Sequence, residues 1–316
     1  QRTPATFGAL VMVDTTFTKS LCPLCGGSDH RAVSTTGQFG IPAHVVVCVG
    51  SGSSFLNPRW TKERYDRFYS SEYDTYYRPE VVSQNDDRYK FVPASQIVAR
   101  LQRYGLLRPF QRVLDLGSGM GHALTYLRNE HEPNAQYDAL EPSPTCHTHL
   151  LSNGFGYVGA DVYGPWDDQL KDSYGLVIMR HVLEHFHEPL EVLRKVRSVL
   201  REDGLLYVAV PDAMHPTKPL RSHFFRVVHI NYFTQRSLAA MLGMAGLEVL
   251  HIAEGDDLSK NEVFAVCRKG PEVPFQSDAT EADRQLALYR HAGRFDTWYE
   301  LKSWGISILR RLRLIN

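Results

Sequence analysis

Three glycines, Gly117, Gly119 and Gly121, stand two residues apart in the stretch VLDLGSGMGHAL that runs from Val113 to Leu124. The hydrophobic run before them reads as a buried strand and the residues after Gly121 as the start of a helix. Such a strand-to-helix turn brings bare backbone close to a ligand. In an open α/β sheet the ligand sits at the carboxyl ends of the strands, where a turn of this kind, Ser118 included, offers N–H groups and a helix N-terminus. Glu141 ends the next strand twenty residues after Gly121, the place where such sheets set an acid to accept hydrogen bonds from ribose hydroxyls. The expected ligand therefore carries a ribose. The G-x-G-x-G spacing is shorter than the G-x-G-x-x-G that seats a dinucleotide pyrophosphate, which argues against one competing reading, an NAD(P)-dependent oxidoreductase on a similar sheet.

Two further groups of residues could do chemistry. After the fifth strand of the pattern comes HPTKPLRSHFFRVVHINYFT, which holds His223, His229 and Tyr232; imidazoles exchange protons near neutral pH. Near the amino end, CPLCG at Cys22 and Cys25 is half of a thiolate zinc site, and Cys48 opens CVGSGSSFLNP, a second half in which Ser51 stands where C-x-x-C would place sulfur. Three thiolates need a fourth donor, for which His30 or His44 is in reach. A structural zinc ion and a metal-free remnant held by packing are both open readings. HVLEH, His181 to His185, fits the H-x-x-E-H pattern of a zinc peptidase, but it follows a strand at the rim of the sheet and no third ligand is indicated. Arg180 and His181, at that strand's end, are instead expected to face cofactor or substrate, with His185 structural.

The elements that must position these residues are legible in outline. From Arg112 onward, strand-like runs at 112–116, 136–140, 156–158, 175–179, 205–210, 248–252 and 261–266 alternate with helix-like segments. That alternation predicts a doubly wound, mainly parallel, Rossmann-like α/β sheet with helices on both faces. Around it, residues 1–59 read as a small Cys-containing module and 60–108 as a Tyr-rich helical cover over the mouth of the sheet. Residues 109–270 form the cofactor-binding domain, and 271–316 a linker and a carboxy-terminal amphipathic helix. That last helix would dock on its own domain, pair two chains as a homodimer, or lie on an anionic membrane surface. Thirty-five basic and thirty-five acidic residues leave a formal net charge of zero, so no global field favours nucleic acid, and RNA is disfavoured as a substrate. The opening residues lack the pattern of a signal peptide, which makes the cytoplasm the expected compartment.

Several ordered motifs resemble one family. VLDLGSGMG resembles the first motif of class I S-adenosylmethionine-dependent methyltransferases, YDALEPSP their acidic second strand, and YGLVIMRHVLEHFHEPLEVLRKVRSVLREDGLLYVAVPD their fourth strand, helix and fifth strand. The resemblance spans roughly Arg112 to Arg268. It implies that Gly117, Gly119 and Gly121 pass the methionine part of the cofactor, that Asp115 orients the turn, that Glu141 holds the ribose, and that Asp161 contacts the adenine edge. A solvated loop acid is the alternative for Asp161. The amino-terminal C-x-x-C module followed by a Tyr-rich segment is similar to sugar methyltransferases acting on nucleotide-activated deoxysugars, so the expected acceptor is a sugar, a nucleotide sugar or a related glycan or natural product. Methyl transfer then needs in-line alignment and a base. His229 is the favoured base, because HINYF resembles a stretch that recurs in those enzymes; His181, His223 and Tyr232 are the other candidates. A protein or RNA methyltransferase is the remaining alternative.

Overall fold

The computed structural model describes residues 16–77, 91–278, 280–294 and 296. The amino-terminal part opens with β1 (Phe17–Thr18), β2 (His30–Thr36), β3 (Pro42–Cys48), β4 (Ser54–Leu56) and β5 (Arg59–Trp60). Helices α1 (Lys62–Ser71), α2 (Tyr73–Tyr77) and α3 (Val92–Arg103) follow. The remainder alternates as expected: β6 (Arg112–Leu116), α4 (His122–Glu130), β7 (Gln136–Leu140), α5 (Pro144–Ser152), β8 (Gly156–Gly159), β9 (Tyr174–Arg180), α6 (Pro189–Val199) and β10 (Leu200–Pro211). Then come β11 (Asn231–Tyr232), α7 (Gln235–Met244), β12 (Leu247–Glu254), β13 (Glu262–Lys269) and a helix over 280–294, α8.

Each of the seven expected strands is present, in one sheet ordered β12-β13-β10-β9-β6-β7-β8. The pairs from β10 to β8 are parallel, while β13 runs antiparallel between β10 and β12. The interior strands are mostly apolar without alternation, most fully in YGLVIMR of β9, where Tyr174 to Met179 are all buried; Asp115 of β6, Asp138 of β7 and Glu262 of β13 are buried acids among them. Helices cover both faces, so neither side of such a strand can be polar as a whole. The chain leaves β6 outward to β7 and β8, then returns to β9 on the other side of β6. The crevice at this reversal is where an open α/β sheet receives a ligand. It puts Gly117, just after β6, against Val182, just after β9.

The amino-terminal strands form a second sheet ordered β11-β4-β3-β2. Its edge strand β11 comes from HINYF, with Asn231 opposite Phe55 and Tyr232 opposite Ser54. The two faces of β3 bury in different places, as a period of two requires. Val46 and Phe55 join the core of the large sheet, and Val45 and Val47 join a cluster with Ala282 and Tyr289 of α8. Of the three expected placements of the carboxy-terminal helix, this portion docks on its own chain; Phe295 and the residues from 297 on, including the basic end, lie outside the described residues. Among the described residues no helix is long and apolar enough to cross a membrane.

Helix α1 owes its attachment to aromatic residues at helical spacing. Tyr65, Phe68 and Tyr69 fall on one face, and Thr61 caps the first turn by accepting the Arg64 N–H. Tyr65 Oη donates to Val227 O at 2.6 Å, which fastens the helix to the loop carrying His229.

Candidate active site

The glycine turn has the geometry its composition demands. Gly117, Gly119 and Gly121 have φ of 70°, 54° and 72°, the left-handed region that only glycine enters at little cost. A Cβ at Gly117 would stand 2.8 Å from Val182 Cγ2, and one at Gly121 2.8 Å from Leu150 Cδ2. At Gly119 the space is open, so the backbone angle alone requires glycine there. Glu141, only 1% exposed, braces the turn: Oε2 accepts the Gly119 N–H at 2.7 Å and Oε1 the Ser143 N–H at 3.0 Å. A carboxylate has about four acceptor sites, so bracing the turn and receiving a ribose are compatible roles. Asp115 is buried beneath; burial, with the Glu141 charge next in effect, pushes its carboxyl up to about 8. The Ser118 hydroxyl is buried with no hydrogen-bond partner among the described residues. A cleft opens here, lined by Gly117, Glu141, Asp161 and His181 and by Tyr65, Tyr69 and Tyr73. Three tyrosines of the Tyr-rich segment thus line this cleft, and Asp161 lines it too while its Oδ1 accepts the Tyr163 N–H at 2.9 Å.

A second cleft adjoins the first, and Tyr73, His181 and His185 line both. Its other walls carry His215, His223, His229, Asp212, Lys218 and Arg226. His181 stands at the junction in a left-handed conformation, φ 55°, a backbone state costing a non-glycine residue about 1–2 kcal/mol. Such strain collects at functional positions. Its Nε2 lies 2.9 Å from Glu262 Oε2. Glu262 also receives Arg100 at 2.6 Å and Arg180 at 3.0 Å; burial opposes its charge, but the His181 bond and the Arg180 charge hold it down at about 2. An ionised carboxylate only accepts, so His181 Nε2 carries the proton and Nδ1 the lone pair. Burial holds His181 below the ordinary imidazole range despite the pull of Glu262.

Behind His181 lies Glu184, 1% exposed, with neither carboxyl oxygen hydrogen-bonded to another described residue. Burial pushes it up to about 8. Three imidazoles converge on its Oε1: His185 Nε2 at 3.7 Å, His181 Nδ1 at 3.8 Å and His229 Nε2 at 4.0 Å. His185 Nδ1 is 2.9 Å from Tyr69 Oη. His229 is buried and held well below its usual range by burial and the neighbouring His185. Asn231 Nδ2 donates to Phe186 O at 2.8 Å and so ties HINYF to the LEHF turn.

Some expectations are corrected. Arg180 turns to Glu262 and lines neither cleft, so it acts on His181 at one remove. Tyr232 also stands outside both clefts: its hydroxyl accepts the Arg226 N–H and donates to Arg226 O, and its ring packs on Phe225. His223 does line the second cleft, beside Ser222. His185 is no bystander, since it lines both clefts. The LEH segment is a single 3₁₀ turn, Leu183–His185, not a helix placing His181 and His185 one turn apart. Glu262 and Arg100 escaped sequence reasoning, because no motif links them to their partners, and the Tyr-rich pattern that includes Tyr69 gave no sign of its contact with His185.

Cys22, Cys25 and Cys48 do converge, their sulfurs within 4.8 Å of one another and Cys25 to Cys48 at 3.5 Å. The Gly27 N–H donates to Cys25 Sγ. Neither expected histidine completes the set. His30 spends Nε2 on Gly27 O and Nδ1 on Asn57, both at 2.9 Å, and His44 packs edge-on against Phe17. The groups beside the thiols are instead the Ser51 and Ser53 hydroxyls, each 3.1 Å from Cys22 Sγ. Ser51 occupies the position that C-x-x-C spacing assigns to the missing sulfur. The three thiols supply three of the four donors that a tetrahedral zinc ion takes.

A family model described as methyltransferase domain matches residues 84–252, just over half of the 316 residues. A ubiquinone biosynthesis O-methyltransferase of Parvibaculum lavamentivorans is 25% identical over 129 residues, 40% of this chain and 49% of the relative. The matched segment thus spans about half the length of that relative. Among solved structures, a 1,6-didemethyltoxoflavin-N1-methyltransferase of Burkholderia thailandensis, bound to 1,6-didemethyltoxoflavin and S-adenosylhomocysteine, superposes with a TM-score of 0.51 at 19% identity, covering 69% of this chain and 96% of that one. At that identity the likeness speaks for the fold.

Proposed function

Because this chain belongs to the methyltransferase-domain family, we propose that it transfers a methyl group from S-adenosylmethionine to a hydroxyl-bearing small molecule, a sugar, nucleotide sugar or related metabolite. The observation that carries the reading is the meeting of two clefts at His181, one lined by Gly117, where the glycine turn begins, and by Glu141, the other walled by imidazoles and charged groups. Bound S-adenosylmethionine supplies an electrophilic methyl carbon on a sulfonium. Gly119 and Glu141 would hold it by backbone and by ribose, and Asp161, which lines the same cleft, would meet the adenine edge. Polar walls suit an acceptor rich in hydroxyls, and Lys218 and Arg226 suit the diphosphate of a nucleotide sugar. Family membership sets the oxidoreductase alternative aside.

His181 takes the acceptor proton in this reading. Glu262 orients the ring as the carboxylate of a catalytic triad orients its imidazole, Nδ1 holds the lone pair, and the side chain is 36% exposed between the clefts. His229, the expected base, is 8% exposed on the cleft floor and supports the acceptor from beneath. For the cysteines we propose a structural zinc ion with Ser51 as fourth donor. The test of the activity is mass spectrometry of the protein with labelled S-adenosylmethionine and a panel of nucleotide sugars. A gain of one labelled methyl on a nucleotide sugar is expected; label appearing only in protein or RNA would overturn the acceptor class.

A further inference from the structure

Glu184 presents a problem that the proposed methyl transfer leaves unsolved. A carboxyl group 1% exposed, with neither oxygen hydrogen-bonded to another described residue, is costly unless something else satisfies it. Three imidazole nitrogens stand around it at 3.7–4.0 Å. Those distances are too long for hydrogen bonds. They are close to the separation of ligand atoms that share a metal, roughly 3.3–3.5 Å for bonds near 2.0–2.2 Å at tetrahedral angles.

We propose that Glu184, His185 and His229 bind a divalent transition-metal ion on the floor of the second cleft. One carboxyl oxygen and the two Nε2 atoms lie within 4.8 Å of one another. The donor set, two imidazoles and a carboxylate, is a composition that takes zinc or a redox-capable ion with a position left open. Magnesium and calcium, which favour all-oxygen sites, suit it poorly. The surroundings agree with the assignment. His185 holds Nδ1 against Tyr69 Oη at 2.9 Å, the outer-shell contact that fixes the ring of a metal-ligating histidine and aims Nε2. His181 is left outside the set, because its Nδ1, although 3.8 Å from Glu184 Oε1, does not fall within 4.8 Å of the other donors as a group.

The role of the ion follows from its place. An acceptor hydroxyl filling the open position would ionise at lower pH, pass its proton to His181 Nδ1, and use the oxygen lone pair to form the new O–C bond. The C–S bond breaks and its electron pair stays on sulfur, leaving a neutral thioether. HVLEH therefore contributes to a metal site, though not in the peptidase manner: the third ligand comes from a loop 44 residues beyond His185.

The inference rests on reading the second cleft as the acceptor site, and the experiment separates the two. The full chain is stripped of metal and titrated with Co²⁺, while S-adenosylhomocysteine binding is measured on the same samples. We expect one Co²⁺ with visible bands and no thiolate charge-transfer band, besides any at the cysteines. Its affinity should fall by more than ~100-fold in Glu184→Gln and in His229→Gln, because loss of even an outer-shell partner typically costs 10–100-fold. It should persist in Cys25→Ser. Retained S-adenosylhomocysteine binding shows that the variants are folded. Cobalt bound through thiolates only, or nitrogen- and oxygen-bound cobalt indifferent to both substitutions, overturns the metal site. Failure of the unaltered chain to bind S-adenosylhomocysteine overturns the methyltransferase reading instead.

Discussion

Replacing Glu141 with alanine should damage both stability and cofactor binding, by amounts that follow from its hydrogen bonds. Its carboxylate receives the Gly119 N–H at 2.7 Å and the Ser143 N–H at 3.0 Å. A hydrogen bond to a charged group is worth about 1.5–3 kcal/mol. Ser143 is buried, so its bared N–H bears most of that cost, whereas Gly119 is only half-buried with open space beside it, so water can partly replace its partner. The expected loss of stability is therefore about 2–4 kcal/mol rather than the full sum of the two bonds. At roughly 2–4 °C per kcal/mol for a domain of this size, Tm should fall by about 4–16 °C. Each ribose hydroxyl that loses its acceptor should weaken S-adenosylhomocysteine by a further ~10–150-fold. Glu141→Gln keeps one acceptor oxygen and turns an NH₂ toward the other backbone N–H, so it should fall between alanine and the unaltered chain. Differential scanning calorimetry and isothermal titration on the three proteins read both effects. A lowered Tm with unchanged affinity would mean that Glu141 braces the turn and never meets the cofactor; an unchanged Tm would refute the bracing itself.

His181→Asn tests the base while sparing the backbone, since asparagine tolerates the left-handed conformation: kcat should drop by about 10²–10⁴-fold with S-adenosylhomocysteine affinity kept, and a drop under tenfold would point to another proton acceptor. Because His181 lies below its usual range, the acid limb of the pH–rate profile should fall below ~6.5 and disappear in the variant. Asp115, raised to about 8 from the ordinary carboxyl value of 3.8, keeps its proton in the folded chain and loses it when unfolded, so it subtracts stability as pH rises between those values, by up to about 1.4 kcal/mol per pH unit. Urea unfolding at pH 5 and pH 7 should show that decline, and Asp115→Asn should flatten it; an equal slope in both proteins would assign the decline elsewhere. Elemental analysis of protein purified without added metal should find one zinc lost in Cys25→Ser, with a lower Tm on chelation; zinc-free protein with unchanged Tm would leave a packed, metal-free remnant.

What the sequence determined by itself was local. The strands of the large sheet were legible because a strand buried on both faces must be mostly apolar, and their bounds in the structure differ from the expected ones by a few residues, most at β10. The glycine turn was legible because a left-handed φ strongly favours glycine, so three glycines two residues apart point to a run of such angles. Glu141 was legible because its distance from that turn is set by one helix and one strand. The second cleft was decided only by tertiary structure. Spacing along the chain says nothing about which way a ring points, so it could not show that Glu262 claims His181 Nε2, that Tyr69 aims His185, or that Tyr232 turns away to Arg226. His30 shows the same limit: it is near the cysteines in sequence, yet Gly27 and Asn57 take both of its nitrogens, and Ser51, which looked like a lost ligand, stands at the sulfur. Convergence of Glu184, His185 and His229 required β11 to leave its loop and pair with β4, a contact between segments about 175 residues apart. Local propensity carries no record of such a pairing, because its free energy comes from burying two distant surfaces together.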